Sequence, residues 1–314
     1  MLALEIASPS TEDWAVPVTA MRVQEWRDRE GQLCALGYAD RRSGWLEWPG
    51  LATFAFTEGS GDVLAVPHPL AVPSTRLTIE DIFHRSARPI ILQAIGWEAL
   101  HASAVLIDQG VVGFCGVSES GKSTLAYALS QLGCPHLADD TLLLDIEGPA
   151  ELSRPAVELL PPFGARLRLP ARAFFGLPDP APGLPASTST PPASIAPSSP
   201  SELKLSALFV LDRNGAPAPR VTEMAPADAF TNVLTHAYCF NPVDEGSKRR
   251  IVANYLSIVS QVPVFRLEFS GELRHLDRMA TAILETVASR VLGARCWVLG
   301  AVLGAGCWVL SAES

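Results

Sequence analysis

A glycine-rich segment that ends in lysine and serine contains the residues best suited to chemistry. Residues 116–123 read GVSESGKS, which has the P-loop form G-x-x-x-x-G-K-S. Gly116 and Gly121 permit a tight turn in which backbone N–H groups converge on phosphate oxygens at a helix N-terminus. In this pattern Lys122 reaches the β- and γ-phosphates and the Ser123 hydroxyl ligates Mg²⁺. The predicted ATP-binding residues are Gly116, Val117, Ser118, Glu119, Ser120, Gly121, Lys122, Ser123 and Thr124.

Two adjacent carboxylates follow this segment closely. Asp139 and Asp140 stand 17 and 18 residues after Lys122, just before the apolar run TLLLDI. Neighbouring side chains at the entry of a strand point to different faces. One carboxylate can then hold Mg²⁺ while the other faces an acceptor hydroxyl and takes up its proton. The alternative is a solvated Asp-Asp turn, and the nearby P-loop favours the functional interpretation.

The flanking segments predict the elements that position these residues. VVGFC, residues 111–115, is an apolar run typical of a buried strand, and residues 123–133 repeat apolar residues at helical spacing before a glycine. HASAVLID, residues 101–108, predicts a neighbouring strand that opens with His101. We expect this histidine to point into the site, although a lone histidine on a strand is usually structural.

These three motifs, in this order, resemble the catalytic core of the HPr kinase/phosphorylase family over residues 100–144. The resemblance implies an α/β fold with a P-loop, HPr kinase-like catalytic domain. It implies catalytic roles for His101, Lys122 and Asp139, with Asp139 as the acid/base. It also implies that Ser123 and Asp140 hold Mg²⁺. Members of the family can form hexamers, which leaves a homo-oligomer open.

Two differences from the family pattern change which substrate we expect. Thr124 follows the P-loop serine where the family usually carries glutamate, and the glycine-rich signature of the phosphate-releasing reaction has no counterpart here. The chain is therefore more similar to the diverged kinases found beside peptide-modification genes, including lasso-peptide clusters. These differences argue against HPr itself as the substrate.

Composition limits the functional classes. The 314 residues are 48% hydrophobic, which is enough to form the core of one large or two smaller domains. The net charge of −9 argues against nucleic-acid binding, because such proteins normally carry a basic face. The six cysteines form no C-x-x-C pair or zinc pattern, and Glu5 does not suit a signal peptide. We therefore expect a cytoplasmic protein.

The rest of the chain predicts three parts. Residues 1–76 read as short strands separated by turn residues, which indicates a small β-rich module. In this module Trp45 and Trp48 form a peptide-docking patch or simply cover the sheet. Residues 77–290 form the catalytic domain. It begins with a helix interrupted at Pro89, and it contains a flexible insertion rich in proline and serine at residues 178–200.

The last part is an apolar tail, residues 291–314, that contains a near-duplicate of eleven residues. Length and apolarity permit membrane association of this tail, and a peripheral or packed tail is the alternative we favour.

The sequence thus predicts an ATP- and Mg²⁺-dependent kinase that phosphorylates a hydroxyl, with serine on a peptide or small protein as the favoured acceptor. Two alternatives stay open. One is a nucleotide-binding regulatory or scaffold protein that transfers no phosphate, and the other is a small-molecule kinase.

Overall fold

Alternating apolar residues arrange the N-terminal region as a six-stranded sheet. The computed structural model describes residues 2–7, 16–28, 30–69, 75–146, 154–160, 165–178 and 203–291. The sheet order is β1-β6-β5-β4-β3-β2, antiparallel except that β1 runs parallel to β6. Its strands are β1 (Ala3–Ile6), β2 (Met21–Arg27), β3 (Leu33–Asp40), β4 (Ser43–Trp48), β5 (Ala52–Thr57) and β6 (Asp62–Pro67).

One face of this sheet is covered by a helical segment. Helix α1 (Thr75–Ile82) continues through a π-helical turn (Phe83–Ala87) into α2 (Arg88–Ala94), where Pro89 lies in the first turn. Ile79, Phe83 and Ile91 pack against Phe54 and other strand residues in one buried cluster. Proline is tolerated in a first turn because no helical partner is needed for its nitrogen there. The sequence predicts a break at Pro89. The backbone stays helical there, and the irregularity is the π-helical turn that ends at Ala87, two residues before the proline.

The two tryptophans of the predicted patch have different surroundings. Trp48 packs edge-on against the buried ring of Phe54, with ring centroids 5.4 Å apart. Trp45 lines a groove of about 240 Å³ on the sheet, together with Ala55 and Leu64. Trp48 therefore covers the sheet, and only Trp45 contributes to an open surface.

The second sheet has nine strands and carries the predicted site. Its path is β10-β8-β9-β13-β12-β11-β7, and β15 joins β13 with β14 beyond it. At its centre β9, β13 and β15 run parallel. The strands are β7 (Glu98–Leu100), β8 (Ala102–Ile107), β9 (Gly110–Cys115), β10 (His136–Ala138), β11 (Leu142–Asp145), β12 (Ala156–Glu158), β13 (Lys204–Asp212), β14 (Arg220–Glu223) and β15 (Val264–Glu268).

Helices cover both faces of this sheet, which makes a three-layer α/β arrangement. One face packs on α5 (Pro226–Leu234) and α6 (Glu245–Gln261), and the other on α3 (Lys122–Gln131) and α7 (Leu276–Thr286). A short helix α4 (Leu169–Phe174) lies beside α3 through Tyr127 and Ala171. The α7 helix continues as a π-helical turn, Val287–Val291.

The observed elements confirm a mixed α/β chain with a β-rich N-terminal region. The helical segment before the core ends at Ala94, and strand β7 follows it at Glu98–Leu100. Helix α6 begins at Glu245, and the side chain of its N-cap, Asp244, accepts from the Ser247 N–H.

Most of the predicted insertion, from residue 179, and the duplicated tail after residue 291 lie outside the described residues. Within the described part of the chain, no helix is both long and apolar enough to cross a membrane.

Candidate functional site

The glycine loop, which we define as residues 116–123, connects the buried strand β9 to helix α3. Gly121 precedes the helix with φ of +100°, a left-handed conformation that glycine adopts without steric cost. A Cβ at Gly116 would lie 2.5 Å from the Ser120 Oγ and 3.2 Å from the Leu211 Cβ. Both glycines are thus required by the local geometry, one for its backbone angle and the other for space.

Lys122 lies beneath the loop with only 6% of its surface exposed. Its ammonium donates hydrogen bonds to the carbonyls of Gly116 and Val117, at 2.7 and 3.3 Å. Burial lowers the pKa of this ammonium, and the carboxylates of Asp140 and Asp139 oppose that effect. The buried Ser120 hydroxyl has no hydrogen-bond partner among the described residues. The loop therefore combines a buried cation with a buried hydroxyl that has no partner among the described residues.

The loop opens into a cavity of about 590 Å³ at the carboxyl edge of the parallel strands. The loop follows β9, Arg213 follows β13, and Phe269 follows β15. Ligands of α/β sheets bind at such an edge because loops from adjacent strands converge there. The cavity lining includes most of the predicted site residues: His101, Ser118, Glu119, Ser120, Gly121, Lys122, Ser123, Thr124 and Asp140.

The two aspartates turn to different surroundings. Asp139 accepts hydrogen bonds on both carboxylate oxygens, from the Ser103 hydroxyl at 2.7 Å and from the Arg166 backbone N–H at 2.6 Å. Asp140 lines the cavity, and its carboxylate lies 3.9 Å from the Arg166 guanidinium. Burial, followed by the charge of Asp139, raises the pKa of Asp140. Asp140 is therefore the carboxylate that faces the open space.

His101 lies next to this carboxylate and is held by main-chain contacts. Its Nδ1 is 3.0 Å from the Asp140 carbonyl oxygen, and its backbone N–H donates to the His236 carbonyl. A carbonyl only accepts, so Nδ1 carries the proton and Nε2 has the lone pair of the neutral imidazole. Burial and the positive charge of Lys122 lower the pKa of His101, which favours this neutral form at pH 7. Tyr238 also donates to the Asp140 carbonyl, at 3.3 Å.

Three arginines line the same cavity. Arg166 faces Asp140, and Arg168 forms an ion pair of 2.9 Å with Glu119 of the glycine loop. Arg213 is exposed and forms no ion pair with any described carboxylate. Arg213 was not identified as a site residue from the sequence. Its position directly after an apolar strand was the signal that could have identified it.

The donor groups in this cavity fit the ligands predicted from the sequence. A triphosphate requires converging amides and a cation, which the glycine loop and Lys122 supply. Magnesium prefers oxygen ligands and keeps several waters, so one carboxylate and one hydroxyl suffice beside the phosphates. Ser123 and Asp140, which both line the cavity, would provide those two oxygens. Within the described residues, no group of three or more His, Cys, Asp or Glu side chains is placed to hold a metal ion by itself.

The structure thus brings His101, Lys122, Ser123 and Asp140 to one cavity. Among the described lining residues, Gly116, Val117 and Asp139 are absent, and Asp139 is half-buried with both carboxylate oxygens hydrogen-bonded. Ser103 and Tyr238, which hold Asp139 and the Asp140 backbone, were not identified as site residues from the sequence.

No protein-family model matches the chain, and a search of curated proteins found no significant match.

Proposed function

We propose that this protein is an ATP- and Mg²⁺-dependent kinase with an HPr kinase-like P-loop core, which transfers the γ-phosphate to a hydroxyl. Serine of a peptide or small protein is the favoured acceptor, and the resemblance to diverged peptide-modification kinases supports that choice. One observation supports the proposal most. The glycine loop, with Lys122 beneath it, opens into the same cavity as Asp140 and His101.

In this proposal the loop amides and Lys122 bind the phosphates, while Ser123 and Asp140 hold Mg²⁺. When bound there, Mg²⁺ would neutralise charge that develops on the phosphate oxygens. Arg166, beside Asp140, adds a guanidinium that can stabilise the same charge. Catalysis of this kind depends mainly on positioning and electrostatics, which is consistent with a rigid, buried cation under the loop.

The proton of the acceptor hydroxyl needs a base that faces the cavity. The sequence assigns that role to Asp139, but both oxygens of Asp139 accept hydrogen bonds from the protein, and Asp139 is not among the described residues that line the cavity. His101 presents the lone pair of Nε2, and its ring is oriented by the Asp140 carbonyl. We assign proton uptake to His101, and we assign to Asp139 the positioning of Ser103 and of the Arg166 backbone.

The test is phosphate transfer from γ-labelled ATP by the purified chain. Wild-type protein with Mg²⁺ is incubated with a cell extract and with serine-containing peptides, beside the Lys122→Ala and Asp140→Asn variants. The proposal expects labelled peptide or protein with the wild type and at least about a hundredfold less label with either variant.

Two other results would contradict this assignment. ATP binding without labelled product would favour a nucleotide-dependent regulatory or scaffold protein. Label found only on small molecules would favour a small-molecule kinase.

A further inference from the structure

The cavity has two chemically different ends, one on each side of the glycine loop. The strand order β8-β9-β13-β15 puts His101, which precedes β8, on one side of the loop. Arg213 and Phe269, which follow β13 and β15, lie on the other. The His101 end holds Asp140 and Arg166, so it is charged. The opposite end must accept the remainder of any ligand whose phosphates bind the loop.

That opposite end has an apolar lining. Phe269, Leu276 and Met279 are 4, 5 and 3% exposed, and all three line the cavity together with Leu273. Only a small part of each of these three side chains reaches the cavity, where they form an apolar wall with Leu273, and the exposed Glu272 lines the same end. A flat, weakly polar ring fits such a surface better than a sugar or a phosphate does.

Arg213 lies over this end in an unusual arrangement with Gly271. Gly271 has φ of +82°, and a Cβ built on it would overlap the Arg213 side chain from Cδ to the guanidinium carbon. The missing Cβ thus lets the guanidinium lie against the Gly271 backbone. Arg213 forms no ion pair with the described carboxylates, so its charge and its planar face are available to a ligand.

We propose that Arg213 and the apolar surface formed by Phe269, Leu273, Leu276 and Met279 bind the nucleobase, with the guanidinium stacked on the ring. The inference rests on the proposed function, because it requires the triphosphate to bind the glycine loop. It adds a direction to the nucleotide: the base points toward β15, and the γ-phosphate points toward His101. Arginine is suited to this role because its guanidinium is planar and stacks on aromatic faces.

The experiment separates base binding from phosphate binding. Affinities of the full chain for ATP and for inorganic tripolyphosphate are measured by calorimetry with Mg²⁺. Arg213→Ala should weaken ATP binding about tenfold and leave tripolyphosphate binding unchanged. Arg213→Lys should recover little of the loss, because an ammonium is not planar.

A second variant and a control keep the test independent of folding. Gly271→Ala displaces the Arg213 side chain and should produce the same selective loss of ATP affinity. Arg278→Ala, on the exposed side of α7 and outside the cavity lining, should change neither affinity. Thermal unfolding of each variant verifies that it is folded.

Four results would overturn the inference. Equal loss of ATP and tripolyphosphate affinity in Arg213→Ala would mean that Arg213 contacts phosphate, and no loss of either would remove it from the site. Equal binding of the two ligands by the wild type would mean that the base makes no contact, while the phosphate site would stand. A wild type that binds neither ligand would instead refute the proposed function, and the inference with it.

Discussion

Asp139 and Asp140 are neighbours in the chain, yet only one faces the cavity, because Asp140 has a left-handed backbone with φ of +65°. Aspartate tolerates this conformation better than most residues, at a cost of roughly 1–2 kcal/mol. The Asp140 carbonyl accepts from both His101 and Tyr238, and these contacts stabilise the turn. The rule that neighbouring side chains point to opposite faces holds for extended backbone. The acidic pair can therefore be recognised in the sequence, but which of the two carboxylates faces the cavity cannot.

The roles of Asp139 and His101 can be separated by matched substitutions. In Asp139→Asn, the amide oxygen can accept from the Arg166 N–H while the amide nitrogen donates to the Ser103 hydroxyl, so two hydrogen bonds to a charged carboxylate become two weaker neutral ones. We expect the free energy of unfolding to fall by about 2 kcal/mol, along with turnover. His101→Gln should lower turnover by about a hundredfold or more, with little change in stability or in ATP affinity. Urea unfolding and steady-state kinetics measure both effects.

If Asp139 is instead the base, its asparagine variant will keep full stability and lose more turnover than His101→Gln. That pattern would restore the role that the sequence assigns to Asp139.

At the scale of elements, the β9–loop–α3 unit was predictable because all of its signals are local. An apolar run, two glycines and a helical repeat follow one another within 24 residues, 110–133. The convergence of Arg213 and Phe269 on the same edge was not predictable, since it depends on the parallel pairing of β9 with β13 and of β13 with β15. Strand β14 was also missed, because RVTE is polar and mostly exposed at the sheet margin.

Two glycine substitutions can distinguish an effect on the shape of the glycine loop from an effect on the stability of the protein. In Gly116→Ala the new methyl group would overlap Ser120 and distort the loop, so we expect at least about a tenfold loss of ATP affinity. The control is Gly133→Ala, at the other end of α3. Gly133 has φ of +91° and open space around it.

This control should lower stability by roughly 1 kcal/mol without changing ATP affinity. Calorimetry and thermal unfolding provide the two measurements. Unchanged ATP affinity in Gly116→Ala would show that the loop does not cradle phosphate.

At the scale of the whole molecule, one short segment of chain contacts the cores of both sheets. Residues 236–240 follow α5, and the ring of Phe240 packs in the N-terminal cluster with its centroid 5.3 Å from that of Phe56. The Phe240 N–H donates to the buried Gln93 side chain at 2.8 Å. Two residues earlier, Tyr238 contacts the Asp140 carbonyl. The N-terminal core and the cavity are therefore built in part from the same five residues.

Half-buried histidines should make the folded protein sensitive to mild acid. Burial, followed by the charge of Lys122, lowers the pKa of His236 to about 4. Burial also lowers the pKa of His84, His101 and His136. Because the unfolded chain binds these protons near pH 6.5, it holds more protons than the folded chain below that pH, and stability falls as the pH decreases. The raised pKa of Asp140 acts in the opposite direction, at lower pH.

We expect the free energy of unfolding to fall between pH 7.5 and pH 5.5, with His236 contributing at most about 1.4 kcal/mol. Urea unfolding at the two pH values measures the difference, and His236→Asn should reduce it. A difference that His236→Asn leaves unchanged would show that this side chain is not the source.

The shared segment at residues 236–240 also governs how the protein can be divided or recombined. A truncation that removes the first sheet would leave Phe240 and the inner side of α1 and α2 facing water, so loss of activity would report misfolding as readily as loss of substrate. A chimera that receives a different N-terminal sheet should keep an aromatic partner for Phe240 at the position of Phe56, and it should keep Gln93, which accepts from the Phe240 N–H. Phe240, which packs in the N-terminal core, and Tyr238, which contacts the Asp140 carbonyl, must therefore be kept together in any such variant.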